Sequence, residues 1–122
     1  MQKQPKIVAV VEDSPSVLRG LERLLRARGL ATEVFASAEE FLASSASARA
    51  ACLVLDIQLG GMSGFELQRQ LAASGSRLPI IFMTAFDSDA TRMRAMEAGC
   101  LAYLRKPFAA KLLFDAIDKA LG

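Results

Sequence analysis

The sequence contains no histidine and no tryptophan, and only two cysteines and one tyrosine among its 122 residues. Without histidine the chain cannot carry a histidine-based catalytic triad, a histidine-ligated zinc or a phosphohistidine of its own. Cys52 and Cys100 lie inside or beside apolar runs and lack CxxC spacing. We therefore expect two reduced, buried cysteines and neither a disulfide nor a metal site made by them.

Long hydrophobic runs and a strong excess of charge are also missing. No apolar run approaches the roughly 18 residues that a membrane span needs, and the N-terminal segment MQKQPK does not look like a signal peptide. We expect a cytoplasmic protein with no membrane partner. The net charge is only +2, and the scattered arginines between residues 19 and 28 are typical of a solvated helix face. We expect no direct nucleic-acid binding by this domain.

The composition is that of a globular protein, with 52% hydrophobic and 23% charged residues. A length of 122 residues suits one domain that covers residues 1–122 and has a real hydrophobic core. The segment SSASARA, residues 44–50, is low in complexity, and we predict a flexible loop there.

Apolar strand-like runs alternate with helical patterns five times along the chain. The predicted strands cover residues 6–11, 31–36, 51–55, 80–83 and 101–104. Each is followed by apolar residues at helical spacing. This order predicts right-handed crossovers and a parallel sheet with helices on both faces.

Polar residues predict where the helices begin. Ser14, before a proline, is a candidate N-cap for the first helix, and Asp87 for the fourth predicted helix. Ser37 and Ser63 each stand three residues before a glutamate, the spacing of a capping box. Met93 and Met96 are placed on the inner face of the fourth predicted helix, as core residues and not as an interface.

Reactive polar residues follow four of the predicted strands. Glu12-Asp13 follows the first, Asp56 the third, Thr84 the fourth and Lys106 the fifth. In a parallel sheet the carboxyl ends of the strands open onto one crevice, where ligands bind. The sequence therefore predicts an acidic, cation-holding site at that edge.

These elements, completed by Ala85 and Pro107, resemble those of the receiver domains of two-component response regulators. The resemblance covers essentially the whole chain. It implies an α/β fold of (βα)5 type: a doubly wound, flavodoxin-like sheet of five parallel strands in the order 2-1-3-4-5. It also implies a signalling domain that modifies itself and turns over no external substrate.

The resemblance implies that Asp56 is phosphorylated by a phosphohistidine on a sensor histidine kinase or a histidine phosphotransfer protein. A carboxylate is a competent nucleophile for this step. Three nearby carboxylates would repel a phosphate unless a cation intervened, and oxygen ligands favour Mg²⁺. The implied ligands are Asp13, Asp56 and the backbone carbonyl of Gln58, with Glu12 assisting through water.

The resemblance also assigns Lys106 to Asp56 before phosphorylation and to a phosphoryl oxygen afterwards, and it suggests a cis Lys106-Pro107 bond. Thr84 would donate its hydroxyl to the phosphoryl group, for which the small Ala85 leaves room. Tyr103 would then rotate into the space that Thr84 leaves. On residue type alone, Tyr103 is equally well a core residue with its hydroxyl at the rim.

Two further positions, Gln58 and Phe86, flank the expected line of attack of water on the aspartyl phosphate. Phe86 cannot orient a water molecule, so we expect slow self-dephosphorylation. The alternative is that Phe86 only packs against the following helix. Glu12 and Gly60 depart from the family pattern, in which aspartate and proline are common. We expect a modest change in metal affinity and a more flexible loop.

Other functions remain open on the sequence alone. One is a scaffold of the same fold that binds partners without phosphorylation. Another is a Mg²⁺-dependent phosphatase, which would need a second acid where Gln58 stands and a cap domain. The first helix, around Val17 to Leu25, is the expected kinase-docking surface, and a homodimer through the fourth helix and fifth strand is a further expectation. The output and the presence of an effector domain are left open.

Overall fold

A computed structural model describes residues 5–122 of the chain. The strands are β1 Ile7–Val11, β2 Ala31–Phe35, β3 Ala50–Asp56, β4 Ile80–Thr84 and β5 Ala102–Arg105. The helices are α1 Pro15–Ala27, α2 Ala38–Ala43, α3 Ala46–Arg49, α4 Gly64–Ala73, α5 Asp89–Glu97 and α6 Ala110–Leu121. The prediction about a signal peptide falls largely on residues 1–4, outside the described residues.

The five strands form one parallel sheet in the order β2-β1-β3-β4-β5. This confirms the predicted topology. In the register, Leu55 of β3 lies beside Phe82 of β4, which lies beside Tyr103 of β5. The carboxyl ends of β1, β3, β4 and β5 therefore share one edge of the sheet, which we call the carboxyl edge.

Alternate residues of the central strands point to opposite faces of the sheet and enter two separate cores. The first core packs α2, α4 and α5 against one face, and its sheet residues include Ala9, Leu53, Leu55 and Phe82. The second packs α1 and α6 against the other face, with Val8, Val10, Val54 and Ile81. Both faces of β1 and β3 are covered, which explains their nearly continuous apolar sequences.

The helix starts were predicted with mixed success. The capping box at Ser63 is confirmed, because its hydroxyl accepts from the Glu66 amide and Glu66 accepts from the Ser63 amide. Ser14 is the N-cap residue of α1 and Pro15 follows it, as predicted, although the Ser14 side chain makes no cap bond. The prediction for Asp87 was wrong, because Ser88 caps α5 instead and accepts from the Thr91 amide at 3.1 Å.

Three predictions about burial need correction. Met93 and Met96 are 62% and 63% exposed, because Ala95 is the residue of α5 that enters the core. Successive helical residues are about 100° apart, so a helix that buries Ala95 turns both methionines away. The segment predicted as a flexible loop contains α3, whose Ala46 is fully buried. Cys52 is buried as expected, but Cys100 is only half-buried.

The described helices were also compared with the length and apolar character that a bilayer requires. None of those within residues 5–122 is long and apolar enough to cross a membrane.

Candidate functional site

The carboxyl edge brings the predicted polar residues of four strands into one site. β1 leads into Glu12 and Asp13, β3 ends at Asp56, and β4 ends at Thr84. β5 is followed directly by Lys106. Although they are polar, Glu12, Asp56 and Thr84 are all buried. Buried polar groups need partners, and each of these three has one within the site.

The acidic residues form a compact cluster. One carboxylate oxygen each from Glu12, Asp13 and Asp56 lie within 4.8 Å of one another. Asp13 is exposed, whereas the other two are buried, so the cluster opens to solvent on one side. Several carboxylate oxygens at an open position are a donor set that suits Mg²⁺, which keeps some of its own waters. The residues therefore fit the predicted metal.

Lys106 provides the positive charge of the site. Its Nζ lies 2.8 Å from Asp56 Oδ2 and also donates to Glu12. The peptide bond between Lys106 and Pro107 is cis. Burial opposes the charge of the ammonium, but the hydrogen bonds and charges of Asp56 and Glu12 outweigh it and raise the pKa of Lys106. The lysine therefore remains charged beside both carboxylates.

Asp56 is held at both carboxylate oxygens. Oδ1 accepts from the backbone amide of Gln58 at 2.9 Å, and Oδ2 accepts from Lys106. Burial, together with the charge of Glu12, raises the pKa of Asp56 to about 6 against the opposing hydrogen bond and charge of Lys106. A metal cation at the cluster would favour the ionised carboxylate.

Gly64 supports the site and was missed by the sequence analysis. A Cβ atom at this position would lie 2.4 Å from the backbone carbonyl oxygen of Asp56. Only glycine allows α4 to begin so close to the end of β3. A glycine directly after the capping Ser63, at the first position of a helix, was the signal that could have found it.

Thr84 is oriented by Gln58 and not by Asp56. The Thr84 hydroxyl donates to Gln58 Oε1 at 2.6 Å and accepts from the Phe86 amide at 2.9 Å. For Gln58 the predicted roles were a metal-binding backbone carbonyl and an influence on the lifetime of the phosphate, and this side-chain bond is an addition to them. Gln58 thus contacts Asp56 through its backbone and Thr84 through its side chain.

The hydroxyl of Tyr103 is bound by Asp87, in a group of three polar side chains. Its hydroxyl donates to Asp87 Oδ1 at 2.7 Å, and Asp87 Oδ2 accepts from Arg92 at 2.8 Å. The guanidinium of Arg92 also lies 5.6 Å from the centre of the tyrosine ring. Burial raises the pKa of Tyr103 to about 12, with a further contribution from Asp87. The tyrosine therefore remains a neutral hydrogen-bond donor.

Phe86 and the two cysteines complete the residues singled out by the sequence. Phe86 is 69% exposed, so little of its ring can pack against α5. Burial raises the pKa of Cys52 to about 12 and also raises the pKa of Cys100. The thiolate is the reactive form of cysteine, so both residues are poor nucleophiles.

Comparison with known proteins identifies relatives of the whole domain. Response regulator protein TmoT of Ectopseudomonas mendocina is 36% identical over 121 residues, which are 99% of this chain and 55% of that protein. Nodulation protein W of Bradyrhizobium diazoefficiens is 42% identical over 114 residues, which are 93% of this chain and 50% of that protein. The chain spans about half the length of the curated relatives it matches.

A solved structure has the same fold. The response regulator StyR superposes with a TM-score of 0.89 and 43% identity, and the match covers 97% of this chain and 60% of that one. The sequence pattern that defines the response regulator receiver domain family matches residues 8–118 of this chain. This range contains every residue of the site described above. The chain therefore belongs to the response regulator receiver domain family, and its function lies in two-component signalling.

Proposed function

We propose that this domain is a switch that accepts a phosphoryl group on Asp56 from a phosphohistidine of a sensor histidine kinase or histidine phosphotransfer protein. The observation that carries the proposal is the environment of Asp56. The Asp56 carboxylate is buried, belongs to the acidic cluster, and lies 2.8 Å from Lys106 Nζ. Residues 1–122 act as one receiver domain in the cytoplasm.

The transfer exchanges one bond to phosphorus for another. A carboxylate oxygen of Asp56 attacks the phosphorus of the phosphohistidine, a P–O bond forms, and the P–N bond breaks. The electron pair of that bond stays on the imidazole nitrogen of the partner. Because phosphoryl transfer depends mainly on positioning and charge neutralisation, the ammonium of Lys106 supports it by facing the incoming phosphoryl oxygens.

Asp13, Asp56 and the backbone carbonyl of Gln58 would hold Mg²⁺, with Glu12 assisting through water. The ion supplies charge neutralisation for the acidic cluster and the phosphoryl oxygens. Lys106 donates to both Glu12 and Asp56. It must share or exchange these contacts when a cation and a phosphoryl group enter, and its flexible side chain allows this.

The signal leaves the site through Thr84 and Tyr103. The Thr84 hydroxyl donates to Gln58 and would transfer this bond to the phosphoryl group. Tyr103 would leave Asp87 and rotate towards the space that Thr84 vacates. The surface formed by α5, β5 and α6 changes as a result, which alters partner binding or dimerisation. The phosphorylated state drives this change because it alone offers the new acceptor to Thr84.

The phosphorylated state is expected to be long-lived. In hydrolysis, water attacks phosphorus and the bond between phosphorus and the Asp56 oxygen breaks, which restores the carboxylate. Phe86, exposed beside Thr84, has no polar atom to orient that water. Gln58 is released by Thr84 in the phosphorylated state, so the expected long lifetime rests on Phe86.

Intact mass spectrometry after incubation with Mg²⁺ and a small acyl-phosphate donor tests the proposal. We expect the mass of one added phosphoryl group, lost in Asp56→Asn and in the presence of a chelator. If the folded protein binds no Mg²⁺ and gains no phosphoryl group from this donor or from histidine kinases, the proposal is wrong. The remaining function would then be a scaffold that binds partners without phosphorylation.

A further inference from the structure

The connection between β3 and α4, residues 57–63, is a loop that reaches the candidate metal site. Gln58, near its start, donates its backbone amide to Asp56 and binds Thr84 through its side chain. Gly60 and Gly61 follow, and Gly61 has a φ of +73°. Glycine has the greatest conformational freedom of all residues. A loop with two adjacent glycines therefore needs outside contacts to keep one conformation.

Two carboxylates make such contacts with the loop. Asp13 Oδ2 accepts from the Gly60 amide at 3.1 Å, and Glu39 Oε2 accepts from the Met62 amide at 2.9 Å. Asp13 belongs to the acidic cluster, whereas Glu39 comes from α2, outside it. A Cβ atom on Gly61 would lie 2.7 Å from Glu39 Oε2. The absence of a side chain at Gly61 is what lets this carboxylate approach the loop.

The two adjacent glutamates of α2 have different partners. Glu40 accepts from the Ala36 amide and from the Ser37 hydroxyl, contacts that stabilise the start of its own helix. Glu39 instead binds the amide of Met62, 23 residues further along the chain. The bond from the Met62 amide lowers the pKa of Glu39, so the carboxylate is ionised when it accepts. The contact of Glu39 is therefore not explained by the stability of α2.

We infer that Glu39 is a positioning residue, which holds the loop of residues 57–63 so that the Gln58 carbonyl faces the acidic cluster. The inference rests on the proposed function, because it concerns the same metal site. A cation bound by Asp13 would compete with the Gly60 amide for the Asp13 carboxylate. The bond that Glu39 accepts from the Met62 amide does not face this competition, so it is the contact that keeps the loop in place when metal is bound.

Three variants separate positioning from charge. Glu39→Ala removes the acceptor, Glu39→Gln keeps an acceptor oxygen but removes the charge, and Glu97→Ala is the matched control. Glu97 is exposed on α5 and forms no ion pair within residues 5–122. Amide hydrogen exchange reports the loop directly at Met62. The Ser63 amide, which is bound by Glu66, is the internal reference. Titration with Mg²⁺ reports the Kd of the site.

We expect Glu39→Ala to speed exchange of the Met62 amide by about fivefold, as for one lost hydrogen bond, while the Ser63 amide changes little. The Kd for Mg²⁺ should rise about threefold, and the phosphorylation rate at saturating Mg²⁺ should stay within about twofold of the wild type. Glu39→Gln should restore most of the affinity. A purely structural role would lower the melting temperature without this separation of affinity from rate.

Other outcomes overturn the inference. If Glu39→Gln weakens Mg²⁺ binding as much as Glu39→Ala, the effect is one of charge and not of position. If Glu39→Ala matches Glu97→Ala in both Mg²⁺ affinity and Met62 exchange, Glu39 does not hold the loop. If the wild type itself binds no Mg²⁺, the proposed function fails. The exchange data still show in that case whether the contact between Glu39 and Met62 exists.

Discussion

The β4–α5 and β5–α6 units lie side by side at the carboxyl edge, but they are held to the rest of the domain in different ways. All five residues of β4 are buried, whereas its helix α5 buries only Ala95. In the other unit the strand is at the edge of the sheet and buries only Leu104, whereas α6 buries Leu113, Ala116 and Ile117. One unit therefore combines a firmly packed strand with a weakly packed helix, and the other combines the reverse.

The contacts of α5 are mainly polar or involve aromatic faces. Arg94 lies 4.4 Å from the centre of the Phe65 ring, and Arg92 pairs with Asp87. Gln68 donates to the carbonyl of Ala98 at the end of the helix. Such contacts contribute little net free energy each, because water offers alternatives. Thr84, at the end of a fully buried strand, is thus separated by only four residues from a helix with few buried contacts, and few buried apolar contacts are typical of elements that move at low cost.

The largest expected effect tests whether α6 is packed more firmly than α5, by truncating one apolar side chain on each helix. Leu113→Ala on α6 removes a fully buried side chain and should lower the free energy of unfolding by about 2–5 kcal/mol. Met93→Ala on α5, the matched control, should change it by no more than about 0.5 kcal/mol, because Met93 is exposed. Urea denaturation followed by circular dichroism measures both. Equal losses would mean that α5 is packed as firmly as α6.

The next prediction concerns Asp56. It contacts Lys106, which follows β5, and Gln58, which in turn binds Thr84 of β4. Its pKa of about 6 in the folded protein is above the ordinary value of 3.8. The folded protein thus binds this proton more tightly, and the stability it contributes is lost as the pH rises through about 6. We expect Asp56→Asn, with Mg²⁺ chelated, to be more stable than the wild type at pH 7.5 by about 1–2 kcal/mol.

The difference should narrow as the pH is lowered from about 6 to below 3.8, where Asp56 is protonated in both the folded and unfolded wild type. Thermal unfolding in chelator at a series of pH values measures it, and Asp118→Asn, an exposed aspartate on α6, is the control. A constant difference at all pH values would show that ionisation of Asp56 is not its source.

A smaller effect is expected at the contact between Tyr103 and Asp87. Tyr103 is the only tyrosine of a chain without tryptophan, so intrinsic tyrosine emission reports this residue alone. Asp87→Asn weakens the acceptor of its hydroxyl, and the position of Tyr103 beside residue 87 should lose about 1 kcal/mol of stabilisation, the value of one hydrogen bond. Tyrosine emission should rise, and phosphorylation by the small donor should become about threefold faster.

Asp89→Asn is the matched control for Asp87→Asn, because Asp89 is an exposed aspartate in the first turn of α5. It removes the same charge without touching Tyr103. If both variants change the emission and the rate equally, the hydrogen bond between Tyr103 and Asp87 does not restrain the switch.

The smallest expected effect concerns the lifetime of the aspartyl phosphate. Phe86→Glu places a carboxylate beside Thr84 that can orient water, and should speed loss of the phosphoryl group by about threefold, a small part of what a fully positioned general base contributes. Phe86→Leu, which adds no polar atom, should lose phosphate at the rate of the wild type. Intact mass followed over time measures both. Equal rates in Phe86→Glu and the wild type would remove Phe86 from the kinetics.

The sheet and the main site residues could be predicted because they depend on strong local patterns. Apolar runs define the strands, and the parallel topology brings the residues after β1, β3, β4 and β5 together. The structure places Glu12, Asp13, Asp56 and Lys106 within reach of one another as expected. Their roles in phosphorylation and metal binding remain predictions.

The errors arose where several contacts compete for one residue. Asp87 has the residue type of a helix cap, but its carboxylate accepts hydrogen bonds from Tyr103 and Arg92. Ser88 caps the helix instead. Methionine is an apolar residue, yet the rotation of α5 is decided by how Ala95 and Ala98 pack. The bond between the Met62 amide and Glu39 joins residues 23 positions apart, and no periodicity in the sequence could indicate it.

Gln58 has two roles, one carried by its backbone and the other by its side chain, and this combination limits how the protein can evolve. Its peptide unit orients Asp56, while its amide oxygen receives the Thr84 hydroxyl. On the proposed function, a mutation of Gln58 that changes how long the signal lasts would also change how readily the signal is triggered. Phe86, whose side chain is exposed, would be a position at which the lifetime alone could be adjusted.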